Sequence, residues 1–398
     1  MKRLDENTRA KASAVKLEVA VSVISGYEPG KGTTGKGASA KTKAAAFKLS
    51  SNENPLGASV RALKALRATR VPSERYPDSR LQAVKSSVAE AYGLDASNLV
   101  FGNGSDELSA LVCTLFLAPG DEAIAGEHSF LLYRSQVLAA GGVPVLIRER
   151  AHKLSVADVA GCASRKTKLV FVTSPANPMG AILTRREVLA LARKLPAGCA
   201  LLVDMAYADY VVDDRHVLTG AKAGDNVVFT HTLSKLYGLA HLRVGWMHAP
   251  ARYALAANKI KSPFNVNGVA QALACAAVED GGHKALSASF NMFWVSKIAC
   301  ELRAKRMLAG HPHGSFVVAK FPKRVPVAAL EALIASRGAV VRGVTEYGVF
   351  NAVRASLGCS RANARLSAIL ASTFSFKLVM ETRASLGLAR RTWRIWAA

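Results

Sequence analysis

Six short apolar runs constrain this chain more than any other feature: Leu99-Val100-Phe101, Glu122-Ala123-Ile124-Ala125, Val143 to Ile147, Lys168 to Thr173, Cys199 to Val203 and Val227 to Thr230. Each is strand-length and rich in β-branched or aliphatic residues. None shows the alternation expected of a sheet with one wet face, so each reads as a strand buried on both sides. Helical patterns lie between or before them at Ser59 to Ala68, Ser79 to Tyr92 (ended by Gly93), Leu108 to Leu117, Leu131 to Ala140 and Arg185 to Leu195. The expected fold is α/β, a mostly parallel sheet covered by helices on both faces. After about residue 280 the pattern becomes α+β, with Phe316 to Phe321 and Val353 to Leu357 as strands. Four segments are expected: an N-terminal arm over 1–50, a large domain over 51–280, a smaller α+β domain over 281–370, and an extension over 371–398.

A chain of 398 residues is long enough to divide its core in two. No stretch approaches the roughly 18 apolar residues of a membrane span, and the charged start, MKRLDENTRA, is a poor signal peptide. Six scattered cysteines (Cys113, Cys162, Cys199, Cys275, Cys300, Cys359) form no metal-spaced pair. A reduced, cytoplasmic protein with no metal site is therefore expected. The net charge of +25 is concentrated in part at the ends: residues 1–50 hold ten basic against four acidic groups, and 371–398 hold five against one. Such charge attracts anions. No aromatic-rich RNA motif or zinc finger accompanies it, so small phosphorylated substrates are expected rather than nucleic acid. The run Gly30-Lys31-Gly32-Thr33-Thr34-Gly35-Lys36-Gly37 is not a phosphate loop, because Gly37 stands where a hydroxyl is required.

Candidate chemistry collects where strands end, the position at which open α/β sheets hold ligands. Lys235 follows the run ending at Thr230, and Arg243 lies eight residues further on. A deprotonated lysine forms a Schiff base with an aldehyde. The hydroxyls of Thr232 and Ser234, the Arg243 guanidinium and the backbone N–H groups of Ser105 and Asp106 in a glycine-rich turn together make a phosphate seat. A lysine for an aldehyde beside a phosphate seat points to pyridoxal phosphate. Asp204, at the end of an apolar strand, would keep that ring's nitrogen protonated. Asn177 and Tyr207 would donate to its phenolic oxygen, and Phe130 would cover its face. Taken singly, each residue has an ordinary explanation: Lys235 as a solvated surface lysine, Asp204 as a helix cap or ion-pair partner, Phe130 as a core aromatic.

The motifs Asn52-Glu53-Asn54-Pro55-Leu56-Gly57, Arg75-Tyr76-Pro77-Asp78, Gly102-Asn103-Gly104-Ser105-Asp106-Glu107, Ser129-Phe130 with Tyr133-Arg134, Asn177-Pro178 with Gly180, Asp204 with Ala206-Tyr207, Ser234-Lys235, Leu242-Arg243-Val244-Gly245 and Pro263 to Asn267 occur in this order. Over roughly residues 20–370 the chain resembles the histidinol-phosphate aminotransferase family, which has the aspartate aminotransferase-like fold. The resemblance implies a homodimer that uses pyridoxal 5'-phosphate, with Lys235 bonding the cofactor and Asp204, Asn177, Tyr207 and Phe130 placed as above. It further implies that Tyr76 reaches a cofactor phosphate in the other subunit, that Arg354 binds the substrate's acidic group, and that Arg342, Tyr27 and Asn54 are further substrate contacts. The implied reaction is amino transfer from histidinol phosphate to 2-oxoglutarate, in histidine biosynthesis.

Some positions depart from the family pattern. Met205 stands in place of Glu, His241 in place of Gly and Met179 in place of Thr; none removes a group that the chemistry needs. Threonine-phosphate decarboxylation and aromatic amino-acid transamination would use a similar site. A cofactor-binding regulator would carry a helix-turn-helix domain ahead of the sheet, and residues 1–50 show no such pattern.

Overall fold

The protein is described by a computed structural model over residues 46–211, 224–322 and 325–372, together with Ile24. The expectations placed on Tyr27, on the arm before residue 46 and on residues 373–398 lie outside the described residues.

After β1 (Phe47–Lys48) come α1 (Val60–Ala68), α2 (Gln82–Tyr92), β2 (Leu99–Gly102), α3 (Ser105–Phe116), β3 (Glu122–Gly126), α4 (Leu131–Ala139) and β4 (Val143–Ile147). Then follow α5 (Val156–Cys162), β5 (Thr167–Thr173), α6 (Arg185–Lys194), β6 (Ala200–Asp204), β7 (Val227–Thr232), β8 (Gly245–His248), α7 (Ala251–Ile260) and α8 (Gly268–Val278). Strands β2 to β8 form one sheet in the order β2-β8-β7-β6-β5-β3-β4. Its pairings are parallel except where β8 runs antiparallel to β7 and β2.

The sheet is covered on both faces. Leu169 and Phe171 of β5 face one side with Leu108 and Val112 of α3 and Val137 of α4, whereas Val170 and Val172 face the other with Val188 and Leu191 of α6. Successive side chains of a strand point to opposite faces, so a strand covered on both is apolar along its middle, as Leu169 to Val172 of β5 are.

The helix α9 (Gly281–Ala304) spans two cores. Its Ala288 packs with α8 and β8, while Val295, Ile298 and Leu302 pack in a second cluster. At about 1.5 Å per residue this helix is about 36 Å long. The second cluster lies against an antiparallel sheet, β12-β13-β10-β9, made of β9 (Leu308–Ala309), β10 (Phe316–Lys320), β12 (Arg342–Gly343) and β13 (Ala352–Ser356). Helices α10 (Val327–Ser336) and α11 (Ser360–Ser372) complete it. The chain reaches this region twice, because β1 pairs in parallel with β11 (Ala339–Val340) and Leu49 is buried in the second cluster. Residues 49–52 thus run along the seam between the two sheets.

Several elements differ from expectation. Helix α3 starts at Ser105, not Leu108. Asp106 and Glu107, read as turn residues, sit in its first turn, where acidic groups suit the positive end of the helix dipole. The motif Leu242 to Gly245 gives no sign of a strand, yet Gly245 opens β8, too short at four residues to show a period. Helix α8 is hidden by its alanines, which are small because it packs closely against α1 and α2.

Candidate active site

The carboxyl ends of β5, β6 and β7, the start of α3, the seam residues 50–52 and strands β12 and β13 converge on one cavity of about 230 Å³. Lys235 and Asp204 both line it, with Ser105, Asp106, Phe130, Thr173, Asn177, Tyr207, Thr232, Ser234, Arg243, Arg342 and Arg354. Most of these follow strands of the large sheet, whereas Arg342 and Arg354 come from β12 and β13 of the antiparallel one.

Lys235 lies just beyond β7, in a loop closed by Leu239 N–H donating to Leu233 O. Its Nζ is 3.4 Å from the Ser51 carbonyl and 5.7 Å from the centre of the Tyr207 ring. Asp204 ends β6 and is buried. Tyr133 Oη donates to its Oδ2 at 2.5 Å, and the Ala206 N–H donates to Oδ1 at 2.9 Å. Burial pushes its carboxyl up to about 6, against the two hydrogen bonds that favour the charged form. An acid so placed gains from a cationic N–H beside it.

The same cavity holds a cup for an anion. Arg243 Nη1 is 3.1 Å from Ser234 Oγ, and Nη2 is 3.4 Å from Asp106 Oδ2. Thr232 Oγ1 accepts from the Ser234 N–H at 3.1 Å. Two glycines make the close approach possible. A Cβ on Gly104, which has φ of 82°, would lie 2.7 Å from Arg243 Nη2; one on Gly245 would lie 2.6 Å from the His231 carbonyl and 2.9 Å from the Ser105 nitrogen. The first N–H groups of α3 therefore stand open beside a guanidinium and two hydroxyls, a donor set suited to a phosphate monoester.

In the same lining, Asn177 Oδ1 accepts from Arg354 Nη1 at 2.5 Å, which leaves its NH₂ group to donate into the cavity. Tyr207 Oη accepts from Asn52 Nδ2 at 2.8 Å, so its own proton can also point inward. Phe130 stands at the start of α4, edge-on to Tyr133. A flat pyridine with an aldehyde, a phenolic oxygen and a phosphate arm finds a partner for each part: amine, amide and phenol, cup, and acid for the ring nitrogen. The residues present fit pyridoxal phosphate.

Arg354 is 3 % exposed; its Nη2 donates to the Ser50 carbonyl at 2.9 Å, and its Nε has no hydrogen bond among the described residues. Arg342 also lines the cavity, with Nη2 3.5 Å from Glu346 Oε2. Tyr76 does not line the cavity of its own chain; it is 80 % exposed and stacks on Phe264 at 4.5 Å. Asn54, expected at the substrate, is placed elsewhere. Its amide donates to the Leu236 carbonyl and to Ser287 Oγ, and its Oδ1 accepts from Leu56 N–H, so it ties its own turn to the lysine loop and to α9.

The structure adds Asn52, Ser50, Ser51, Thr173 and Tyr133 to the candidates read from sequence. Tyr133 was visible as a motif residue without a role. Its spacing of three from Phe130 places both on one helix face, a usable signal. Asn52 is likewise a motif residue whose role no local pattern gives, because its neighbours come from β13 and from Tyr207.

The family model for aminotransferase class I and II matches residues 45–368. A histidinol-phosphate aminotransferase of Dinoroseobacter shibae is 38 % identical over 312 residues, covering 78 % of this chain and 86 % of that protein. One from Rhodopseudomonas palustris strain TIE-1 is 37 % identical over 336 residues, covering 83 % and 92 %. In structure, the chain is similar to the histidinol-phosphate aminotransferase of Sinorhizobium meliloti in complex with pyridoxal-5'-phosphate, with a TM-score of 0.73, 22 % identity and coverage of 85 % and 91 %. That likeness agrees with the α/β fold described above. The chain belongs to the histidinol-phosphate aminotransferase family of class I and II aminotransferases, and is a pyridoxal-phosphate-dependent enzyme.

Proposed function

We propose that the protein transfers the amino group of histidinol phosphate to 2-oxoglutarate. The observation that carries this reading is the pair of arginines, Arg354 and Arg342, in one cavity with Lys235 and Asp204. The donor bears a phosphate and the acceptor two carboxylates. One site must hold each in turn, and guanidinium groups bind either anion through paired N–H donors. The names of the curated relatives support the same donor.

When bound, pyridoxal phosphate supplies an aldehyde for the amine and a protonated ring that withdraws electrons from the substrate's α-carbon. The chain's own residues do the rest. Lys235 Nζ would hold the cofactor's aldehyde carbon and, as a free amine beside the substrate, would take the proton from the α-carbon. Asp204 holds the proton on the ring nitrogen. Asn177 and Tyr207 donate to the phenolic oxygen, and Phe130 covers the ring and excludes water. Ser105, Asp106, Thr232, Ser234 and Arg243 hold the phosphate. Arg354 and Arg342 grip the acidic end of the substrate and so orient the α-carbon toward Lys235.

The working unit on this reading is a homodimer, each subunit lending Tyr76 to the other's cofactor phosphate. The exposed apolar side chains of Val71, Tyr76 and Phe264 support a covered surface there. Six free cysteines suit a reducing cytoplasm. A substrate panel tests the reaction: histidinol phosphate, phenylalanine and threonine phosphate, each with 2-oxoglutarate. Glutamate should form fastest with histidinol phosphate. Preferred transfer from phenylalanine, or carbon dioxide release from threonine phosphate, would overturn the assignment.

A further inference from the structure

Helix α4 brings more to the site than Phe130. Tyr133, one turn along, donates its hydroxyl proton to Asp204 Oδ2 at 2.5 Å and lies 3.0 Å from Thr173 Oγ1. Since the tyrosine proton is committed to the carboxylate, the threonine hydroxyl is the donor to the tyrosine oxygen, giving a chain Thr173 to Tyr133 to Asp204. The tyrosine is fixed: it is 1 % exposed, stacked on Phe171 at 4.5 Å and edge-on to Phe130 at 5.7 Å. One turn further, Gln136 Nε2 donates to the Asp106 carbonyl at 2.9 Å and its Oε1 accepts from Ser109 Oγ. A single helix thus braces both the acid and the anion cup.

Burial drives Asp204 toward its neutral form, in which it cannot accept a ring proton. The titratable groups that bear on it are Tyr133, Asp106, Lys235 and Tyr207: Asp106 adds to the effect of burial, while Lys235 and the Tyr133 bond oppose it. Tyr133's own phenol is held well above its ordinary value by burial and by the Asp204 charge, so it remains a donor throughout the working range. We infer that Tyr133 is a positioning residue which, on the reading that Asp204 serves the cofactor's ring nitrogen, keeps that carboxylate ionised and aimed at the ring, with Thr173 supporting it from behind.

The test is cofactor binding, read by equilibrium dialysis of the protein with pyridoxal phosphate from about pH 5 to about pH 8, a range that brackets the acid's titration. Tyr133→Phe keeps the ring stack and removes only the donor. Its dissociation constant should rise about 10-fold, as for loss of a hydrogen bond to a charged group. The midpoint at which binding fails on acidification should move up by about one pH unit. Thr173→Val should shift both in the same direction by less. In an Asp204→Asn background, Tyr133→Phe should change neither. An unmoved midpoint, or an equal loss with and without the Asp204 carboxylate, would show that Tyr133 is only packing and overturn the inference. Wild-type protein that fails to bind the cofactor, or Asp204→Asn that binds it as tightly as wild type, would instead defeat the underlying role of Asp204, and this inference with it.

Discussion

Asp204 occupies a place where a carboxylate is costly, and the cost can be measured. In the protein alone, burial raises it from the usual 3.8 to about 6. A value raised by folding means that the folded state prefers the protonated acid. The stabilising contribution is full below about pH 4 and is lost as pH rises through about 6. A shift of about two units corresponds to about 3 kcal/mol. Cofactor-free Asp204→Asn, which has the same shape and no charge, should therefore be more stable than the cofactor-free wild type near pH 8 and show a flatter pH dependence in urea unfolding. Parallel pH profiles for the two proteins would contradict this. Such a trade of stability for function is expected where an acid must wait for its cationic partner.

The strand ends explain why so much of the site could be read in advance. Asp204, Asn177, Lys235, Thr232 and Ser234 each follow an apolar run, and the runs were legible because a strand covered on both faces admits few polar residues. Tyr133 was harder. Its role depends on α4 lying across the end of β6, which no local pattern states. Asn52 and Asn54 show the limit most clearly. They are two residues apart in one polar turn, yet Asn52 meets Tyr207 while Asn54 faces the lysine loop and α9. That difference is set by β1 crossing to β11 and by the left-handed backbone at Asn52, with φ of 56°. Both are tertiary facts. Strand β8 is illegible in the sequence for a related reason: its antiparallel pairing is a property of sheet order, not of its four residues.

At the scale of the molecule, the seam between the two sheets carries the function. Residues 50–52 place the Ser50 carbonyl on Arg354, the Ser51 carbonyl near Lys235 and the Asn52 amide on Tyr207. The group that would grip the substrate and the groups that would act on it are thereby held in one register. The proposed dimer extends this arrangement across subunits, and mixing tests it. Tyr76→Ala and Lys235→Ala proteins should each be nearly inactive. After joint unfolding and refolding, hybrid dimers would contain one intact site, and activity should rise well above that of either parent. A mixture no more active than its parents would mean that Tyr76 does not serve the neighbouring subunit. Catalysis on this reading depends on one bond, and the most direct measurement is to fix it chemically. Borohydride reduction of the purified holoprotein, followed by peptide mass spectrometry, should place a pyridoxyl-phosphate adduct on Lys235; an adduct on a different lysine, or none, would contradict it.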